Sequence, residues 1–386
     1  EVQFIPAKLK VIDHYRETYE CRSCRKNGTP YMEKAPVPYP PVLHSLASAS
    51  TITWLIHQKF ELSIPLYRQE KEWEALGLRL SRATMSNWLL VVYRDWLVHI
   101  VHRLKLELLK QRYLHIDETH VQVLKEPGRK NTSDSYMWVY CSIRDAVNPI
   151  RYFEYQPGRS GKYPEAFLRE YEGYIHTDAY SGYNAVSGVK RCLCYTHLRR
   201  AFVDALPKDI HNSEASKPAE AILRLNQLFN IESELEALPP DQKKKERLIR
   251  EKPLLEAFWS WAEKSAIGEL PKSKLSKAFH YALNNREGFW NYLEDGNCSI
   301  SNSLAENCIR PFVIGRKNWL FSGSPKGAEA SAGIYTLVET AKANGLAPMK
   351  YIKYILSDMP GSAFLEHPEY LDDYLPWNPL VKEFCR

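Results

Sequence analysis

Residues 113–124 read Y-L-H-I-D-E-T-H-V-Q-V-L. The run is apolar, β-branched and aromatic, which predicts a strand, and it carries an aspartate, Asp117. A second run of the same kind, Y-I-H-T-D-A-Y-S-G-Y-N-A-V (174–186), places Asp178 near the end of its strand part. Between and beyond them the pattern predicts strands over 136–144 and 150–156, a helix over 162–171, and strands over 174–178 and near 190–195. Turns are expected at Asn131–Asp134 and at Asn148-Pro149.

Farther along, residues 299–324 read S-I-S-N-S-L-A-E-N-C-I-R-P-F-V-I-G-R-K-N-W-L-F-S-G-S. One acid, Glu306, stands among Arg310, Arg316 and Lys317. Asn302 is the expected N-cap, so Glu306 lies just inside a helix, with Arg310 one turn on. Pro311 is expected to kink or end that helix. Alone, an acid among bases reads as a solvated ion pair as readily as a site. Set beside two strand-borne aspartates, it completes the parts of a two-magnesium phosphoryl-transfer centre.

The sequence resembles the bacterial insertion-sequence transposases of the insertion sequence 66 family. The resemblance is carried by H-I-D-E-T (115–119), H-T-D-A-Y-S-G-Y-N (176–184), C-Y-T-H-L-R-R-A-F (194–202) and A-E-N-C-I-R-P (305–311). G-R-K-N-W-L-F-S-G-S (315–324) and Y-L-P-W-N (374–378) complete it, in the family's order. It implies that Asp117, Asp178 and Glu306 are the catalytic acids, holding two Mg²⁺ or Mn²⁺ ions, and that 113–204 is the first part of a ribonuclease-H-like α/β core. Three strands in hairpin order, then a helix and further strands, agree with that fold. The gap of 128 residues from Asp178 to Glu306 is far more than one helix and strand need. Residues 205–297 are therefore read as a helical insertion, with the core resuming over 298–357 and an acidic, aromatic arm over 358–386. Strand alternation puts Asp117 and Glu118 on opposite faces, and the family pattern selects Asp117. Glu118→Gln is accordingly expected to be a silent control. His115 and Thr119 share the Asp117 face, and His176 precedes Asp178 by two; each either orients an acid or packs.

The bulk properties agree. Net charge is +6, a mild excess that suits a nucleic-acid partner without requiring one. The 24 Tyr and 10 Trp are enough that some must lie at surfaces, where bases can stack. Eight scattered cysteines do not form a secreted disulfide scaffold. No apolar run approaches a membrane span and no signal-peptide pattern is present, so the expectation is a cytoplasmic, nucleoid-associated protein. The chain begins without Met, in strand-like E-V-Q-F-I-P, and is expected to lack an N-terminal piece.

Residues 1–35 are read as short strands around C-R-S-C, with Cys21 and Cys24 as half of a four-ligand zinc ribbon; the resemblance implies that the other pair lies upstream. A proline-rich linker opens the helical segment 36–112. There, a helix from Pro65 to Leu76, a turn at Gly77 and a helix capped by Ser81 give a helix-turn-helix layout, which an ordinary helical hairpin shares. Met85, Trp88, Leu89 and Val92 follow the core spacing, leaving Arg82, Thr84 and Asn87 for DNA. Cys194 and His197 form C-x2-H, half of a metal site with no evident partner pair, and a structural or DNA-contacting role is preferred. Arg199, Arg200, Arg310, Arg316 and Lys317 are candidate phosphate contacts. Trp319 either stacks on a base or fills the core. The partners implied are transposon-end and target DNA, a second copy of the chain on that DNA, accessory proteins of the same element, and no membrane. A transposase-derived DNA-binding protein without strand transfer and a ribonuclease-H-type nuclease are the competing readings.

Overall fold

Residues 1–3, 7–207 and 216–386 are described by the computed structural model. Two three-residue strands, β1 (Thr18–Glu20) and β2 (Met32–Lys34), pair antiparallel around a short helix, α1 (Arg22–Lys26). The C-R-S-C run is therefore helical rather than extended: Cys21 precedes α1 and Cys24 lies inside it. The strand expected at the start does not form over residues 1–3, and residues 4–6 lie outside the described residues.

Helix α2 (Ala49–Ile56) runs into a π-helical turn, then α3 (Leu66–Ala75) and α4 (Arg82–Val92) follow. Gly77 turns between them at φ +89°, a conformation that glycine reaches without a Cβ clash. Ser81 Oγ accepts from the Thr84 N–H at 3.1 Å, satisfying one free donor at the start of α4. The buried face of α4 is Met85, Trp88, Leu89 and Val92, as the 3.6-residue period predicts. A second π-helical turn leads into α5 (Val98–Leu109).

The central sheet holds β3 (Tyr113–Val123), β4 (Asp134–Ser142) and β5 (Arg151–Gln156), then, after helix α6 (Lys162–Phe167), β6 (Gly173–Thr177) and β7 (Val189–Leu193). Its order is β5-β4-β3-β6-β7, with β3, β4 and β5 antiparallel and β6 and β7 parallel to β3. This mixed α/β arrangement is consistent with a ribonuclease-H-like core. Asp117 sits mid-strand on the central β3, whereas Asp178 stands one residue past β6. The helix expected to reach 171 stops at Phe167.

After α7 (Tyr195–Val203), helices α8 (Lys217–Glu234), α9 (Pro240–Ala266), α10 (Lys274–Asn284) and α11 (Arg286–Trp290) build a second apolar core on one end of the sheet. The helical reading of 205–297 falls partly on 208–215, outside the described residues. Arg247 of α9 is fully buried there. Its guanidinium donates to both oxygens of Glu232, at 2.5 and 2.8 Å, and to the carbonyls of Tyr292, Asp295 and Cys298. One α9 side chain thus fixes the loop that leads into the next helix.

That helix, α12 (Ser303–Trp319), is followed by a two-residue strand, β8 (Phe321–Ser322), which pairs with Gln122 and Val123 of β3. Pro311 neither ends nor divides α12. An interior proline loses one helical hydrogen bond and costs about 3 kcal/mol. Here Ala305 and Ile309 before it and Phe312 and Gly315 after it are buried along one face, and that packing carries the helix through. Asn302 occupies the N-cap position but makes no capping bond, because its side chain is used elsewhere. Helix α13 (Pro325–Ala343) covers the outer edge of β5: Thr336 and Thr340 accept from the Phe153 and Arg151 N–H groups at 2.8 and 3.0 Å. Helices α14 (Pro348–Asp358) and α15 (Pro379–Cys385) close the chain, with Tyr374, Val381 and Cys385 buried.

Candidate active site

Strand alternation sends His115, Asp117 and Thr119 toward α12. At one end the buried His115 Nδ1 meets Asn302 Oδ1 at 3.0 Å, and Asn302 donates to the Ile116 carbonyl at 2.8 Å. At the other end Arg316 donates to Thr119 Oγ1 at 3.0 Å. Asp117 lies between these two ties, and Glu306 sits in the first turn of α12, where the helix dipole favours an acid. His115 stacks on His176 with ring centres 4.2 Å apart. His176 in turn accepts from the Ser299 N–H at 2.8 Å. Both histidines are buried.

Asp117 is raised to about 7. Burial is the largest cause; the charges of Glu118, Asp178 and Glu306 push the same way. The three proposed acids therefore lie within electrostatic reach of one another, from a strand, the residue after a strand, and a helix. Asp178 Oδ1 accepts from the Tyr180 N–H at 3.0 Å, leaving Oδ2 with Arg159 Nη2 at 3.8 Å. Glu306 has His197 Nδ1 at 3.7 Å from Oε1 and Arg200 Nη2 at 3.9 Å from Oε2. These separations exceed hydrogen-bonding distance.

Glu118 faces the other way, as alternation requires, but it is not idle. It is buried, accepts from Arg159 Nε at 2.6 Å, and accepts from the Tyr183 hydroxyl. Since Arg159 also approaches Asp178, Glu118 holds a cation beside the acid cluster, a contact that strand alternation alone does not suggest. Arg159 and Tyr183 escaped sequence reasoning. The available signal was G-R-S-G at 158–161, an arginine between two glycines. A Cβ on Gly161 would come within 2.4 Å of the Gly182 carbonyl, so only glycine lets this loop lie against 180–183. That approach stacks the Arg159 guanidinium 3.9 Å above the Tyr180 ring.

Cys194 and His197 stand at the start of α7 beside Glu306. Burial would raise the Cys194 thiol, but His197 and the Asn302 N–H, 3.1 Å from the sulfur, outweigh it and bring its pKa down. His197 is raised, chiefly by Cys194. The donor atoms of Cys194, His197 and Glu306 all lie within 4.8 Å of one another.

The DNA-contact candidates divide. Arg82, Thr84, Asn87, Arg200, Arg310 and Lys317 are exposed. Arg199 is half-buried and donates to Asn226 of α8 at 2.8 Å, so it ties two helices together rather than facing solvent. Arg316 is spent on Thr119. Trp319 packs edge-on to Phe312 and its indole meets Tyr335, which makes it a core filler. At the N-terminus, no third metal-binding side chain joins Cys21 and Cys24 among the described residues. Nor is any described helix long and apolar enough to cross a membrane.

Three carboxylates on three elements suit hard divalent cations, which prefer oxygen donors. Comparison with known proteins bears on what such a centre does. A family model described as "Transposase IS66 family" matches residues 44–330. Among curated proteins, the chain is similar to three from Sinorhizobium fredii (strain NBRC 101917 / NGR234). Uncharacterized protein y4hP is 26% identical, over 97% of this chain and 69% of that protein. Uncharacterized protein y4jD is 26% identical, over 98% and 74%. Uncharacterized protein y4qI is 27% identical, over 97% and 69%.

Proposed function

The chain belongs to the IS66 family of transposases, and from that premise we propose that it cuts the ends of an insertion sequence and joins the freed 3′-hydroxyls to target DNA. Asp117, Asp178 and Glu306 are the residues that would hold two Mg²⁺ or Mn²⁺ ions. The observation that carries this reading is Asp117: a half-buried acid, raised to about 7, near two further acids, with no cation in direct contact with it among the described residues. Such a cluster is costly unless a cation completes it. When bound, the two ions activate the attacking water or 3′-hydroxyl and stabilise the leaving oxygen. The chain's own groups do the rest. Arg159 and Arg200 stand at the rim, where they meet DNA phosphates and offset the repulsion between the acids and DNA. Arg310 and Lys317, exposed along α12, extend that surface.

The same reading assigns α3 and α4 to DNA binding as a helix-turn-helix, through Arg82, Thr84 and Asn87. It assigns Cys21 and Cys24 to a zinc ribbon, completed by ligands beyond this pair. The test is direct. Labelled element ends are incubated with the protein and Mg²⁺ or Mn²⁺, and products are resolved by strand. Nicking at the 3′ ends and joined products are expected; cleavage without joining would reduce the proposal to a nuclease.

A further inference from the structure

We infer that Cys194, His197 and Glu306 form a transition-metal site, selective for Zn²⁺ over Mg²⁺, that shares Glu306 with the acid cluster. The sharing rests on the role proposed above for Glu306; the site itself does not. Two buried atoms point to it: His197 Nδ1 and Glu306 Oε1 have no hydrogen-bond partner, yet face each other at 3.7 Å. Buried polar atoms without partners are uncommon and ask for a missing ligand. Cys194 Sγ is the third donor, within 4.8 Å of both. Around a tetrahedral zinc, bonded at roughly 2.0–2.3 Å, neighbouring donors stand about 3.3–3.8 Å apart, so small side-chain rotations close the set. Sulfur, nitrogen and one carboxylate oxygen suit zinc and are a poor match for magnesium, which wants oxygen alone. Three protein ligands leave the fourth position open toward solvent, and Asp178 and Arg200 line the same opening as His197.

The elements are held for this geometry. Cys194 and His197 are i and i+3 across the first turn of α7, and the Asn302 N–H fixes the sulfur against the start of α12. A second grouping, His176, Cys192 and Cys298, has donors equally near. There, however, His176 is engaged at both ring nitrogens, with the Leu114 carbonyl at 3.2 Å and the Ser299 N–H at 2.8 Å, and has no lone pair to give. Zinc on the first set would occupy Glu306 Oε1, which already faces His197. The two metals then compete for one carboxylate.

The test uses Co²⁺, whose thiolate charge-transfer and tetrahedral ligand-field bands report the ligand set. The parent is the full chain carrying Cys21→Ser and Cys24→Ser, which removes the N-terminal thiols. One Co²⁺ per chain with both bands is expected, displaced by Zn²⁺ and not by Mg²⁺. Cys194→Ser should remove the charge-transfer band, and His197→Ala should weaken binding at least about tenfold. Asp117→Asn should keep both bands while losing transposition, which separates this site from the proposed catalytic centre; both bands in a parent that performs no transposition would sink the earlier reading and leave this one. No band in the parent, or a band that survives Cys194→Ser and vanishes with Cys192→Ser, would overturn it.

Discussion

Two acid clusters among the described residues, one buried and one half-buried, are built in opposite ways. Around Arg247, Glu232 is met by a guanidinium that is itself saturated with bonds, and Tyr292 donates to the neighbouring Glu251 at 2.6 Å. Around Asp117, three acids approach one another while the nearest cations stop at 3.7–3.9 Å. Each cluster contains a strongly raised acid, Asp117 to about 7 and Glu251 to about 8, each chiefly through burial. The shift alone therefore does not mark the site. What differs is whether the folded chain supplies the opposing charge or leaves a place for one.

Breaking the comparison at its functional side gives the largest effect. Asp117→Asn, Asp178→Asn or Glu306→Gln should each lower end nicking and joining at least about a thousandfold, since each removes a ligand charge worth several kcal/mol. DNA affinity should stay close to the parent's, and none of the three should lower the urea midpoint. Arg247→Met inverts the pattern. It leaves Glu232 with Lys243 as its remaining cation, at 3.1 Å, and strands three carbonyls, so urea unfolding should show a loss of about 3–5 kcal/mol. If Asp117→Asn proves as destabilising as Arg247→Met, the two clusters are of one kind and the functional reading fails. Between them lies Glu118→Gln, which frees Arg159 to move onto Asp178; end cleavage should fall by on the order of tenfold with the fold intact.

A pH series sharpens the contrast. An acid raised in the folded state lets the native chain bind more protons than the unfolded one between its two pKa values. For Asp117 that window runs from about 4 to about 7. Metal-free stability should therefore fall as pH rises through it, with the full penalty present above about 7. Asp117→Asn should flatten that part of the curve, and Mg²⁺ should restore stability above the window. The Glu251 contribution, with its upper limit near 8, should not respond to Mg²⁺. The smallest effect concerns α4: Arg82→Ala should weaken DNA binding and reduce the salt slope by about one.

Much of the sheet was legible because strands announce themselves locally. The 113–124 run became β3 to within one residue, and the buried face of α4 was read correctly from spacing alone. The misses share a physical cause, namely partners far apart in sequence. Asn302 takes the N-cap position expected of it, yet its side chain serves His115 and Ile116, nearly two hundred positions earlier. Pro311 looked like a helix end, because propensity is local and the packing that overrides it is not. Arg316 and Arg199 looked like DNA contacts and are held by Thr119 and Asn226. The acid that stands beside His197, Glu306, arrives more than a hundred residues later, so C-x2-H showed no neighbour in sequence.

The pairing of β8 with β3 has a mechanical consequence. Helix α12 is tied to β3 before its first turn, through Asn302, and after its last, through Phe321 and Ser322. Seventeen helical residues span about 25 Å, and the strand between Ile116 and Gln122 about 20 Å. Helix and strand form a bow and its string, and Asp117 and Glu306 are marks on the two. One residue added between Glu306 and Trp319 would turn the helix by about 100° and lengthen it by about 1.5 Å. One knot would have to slip, carrying Glu306 away from Asp117 or pulling β8 off the sheet. The length of α12 is thereby as closely prescribed as the identity of the acid it carries.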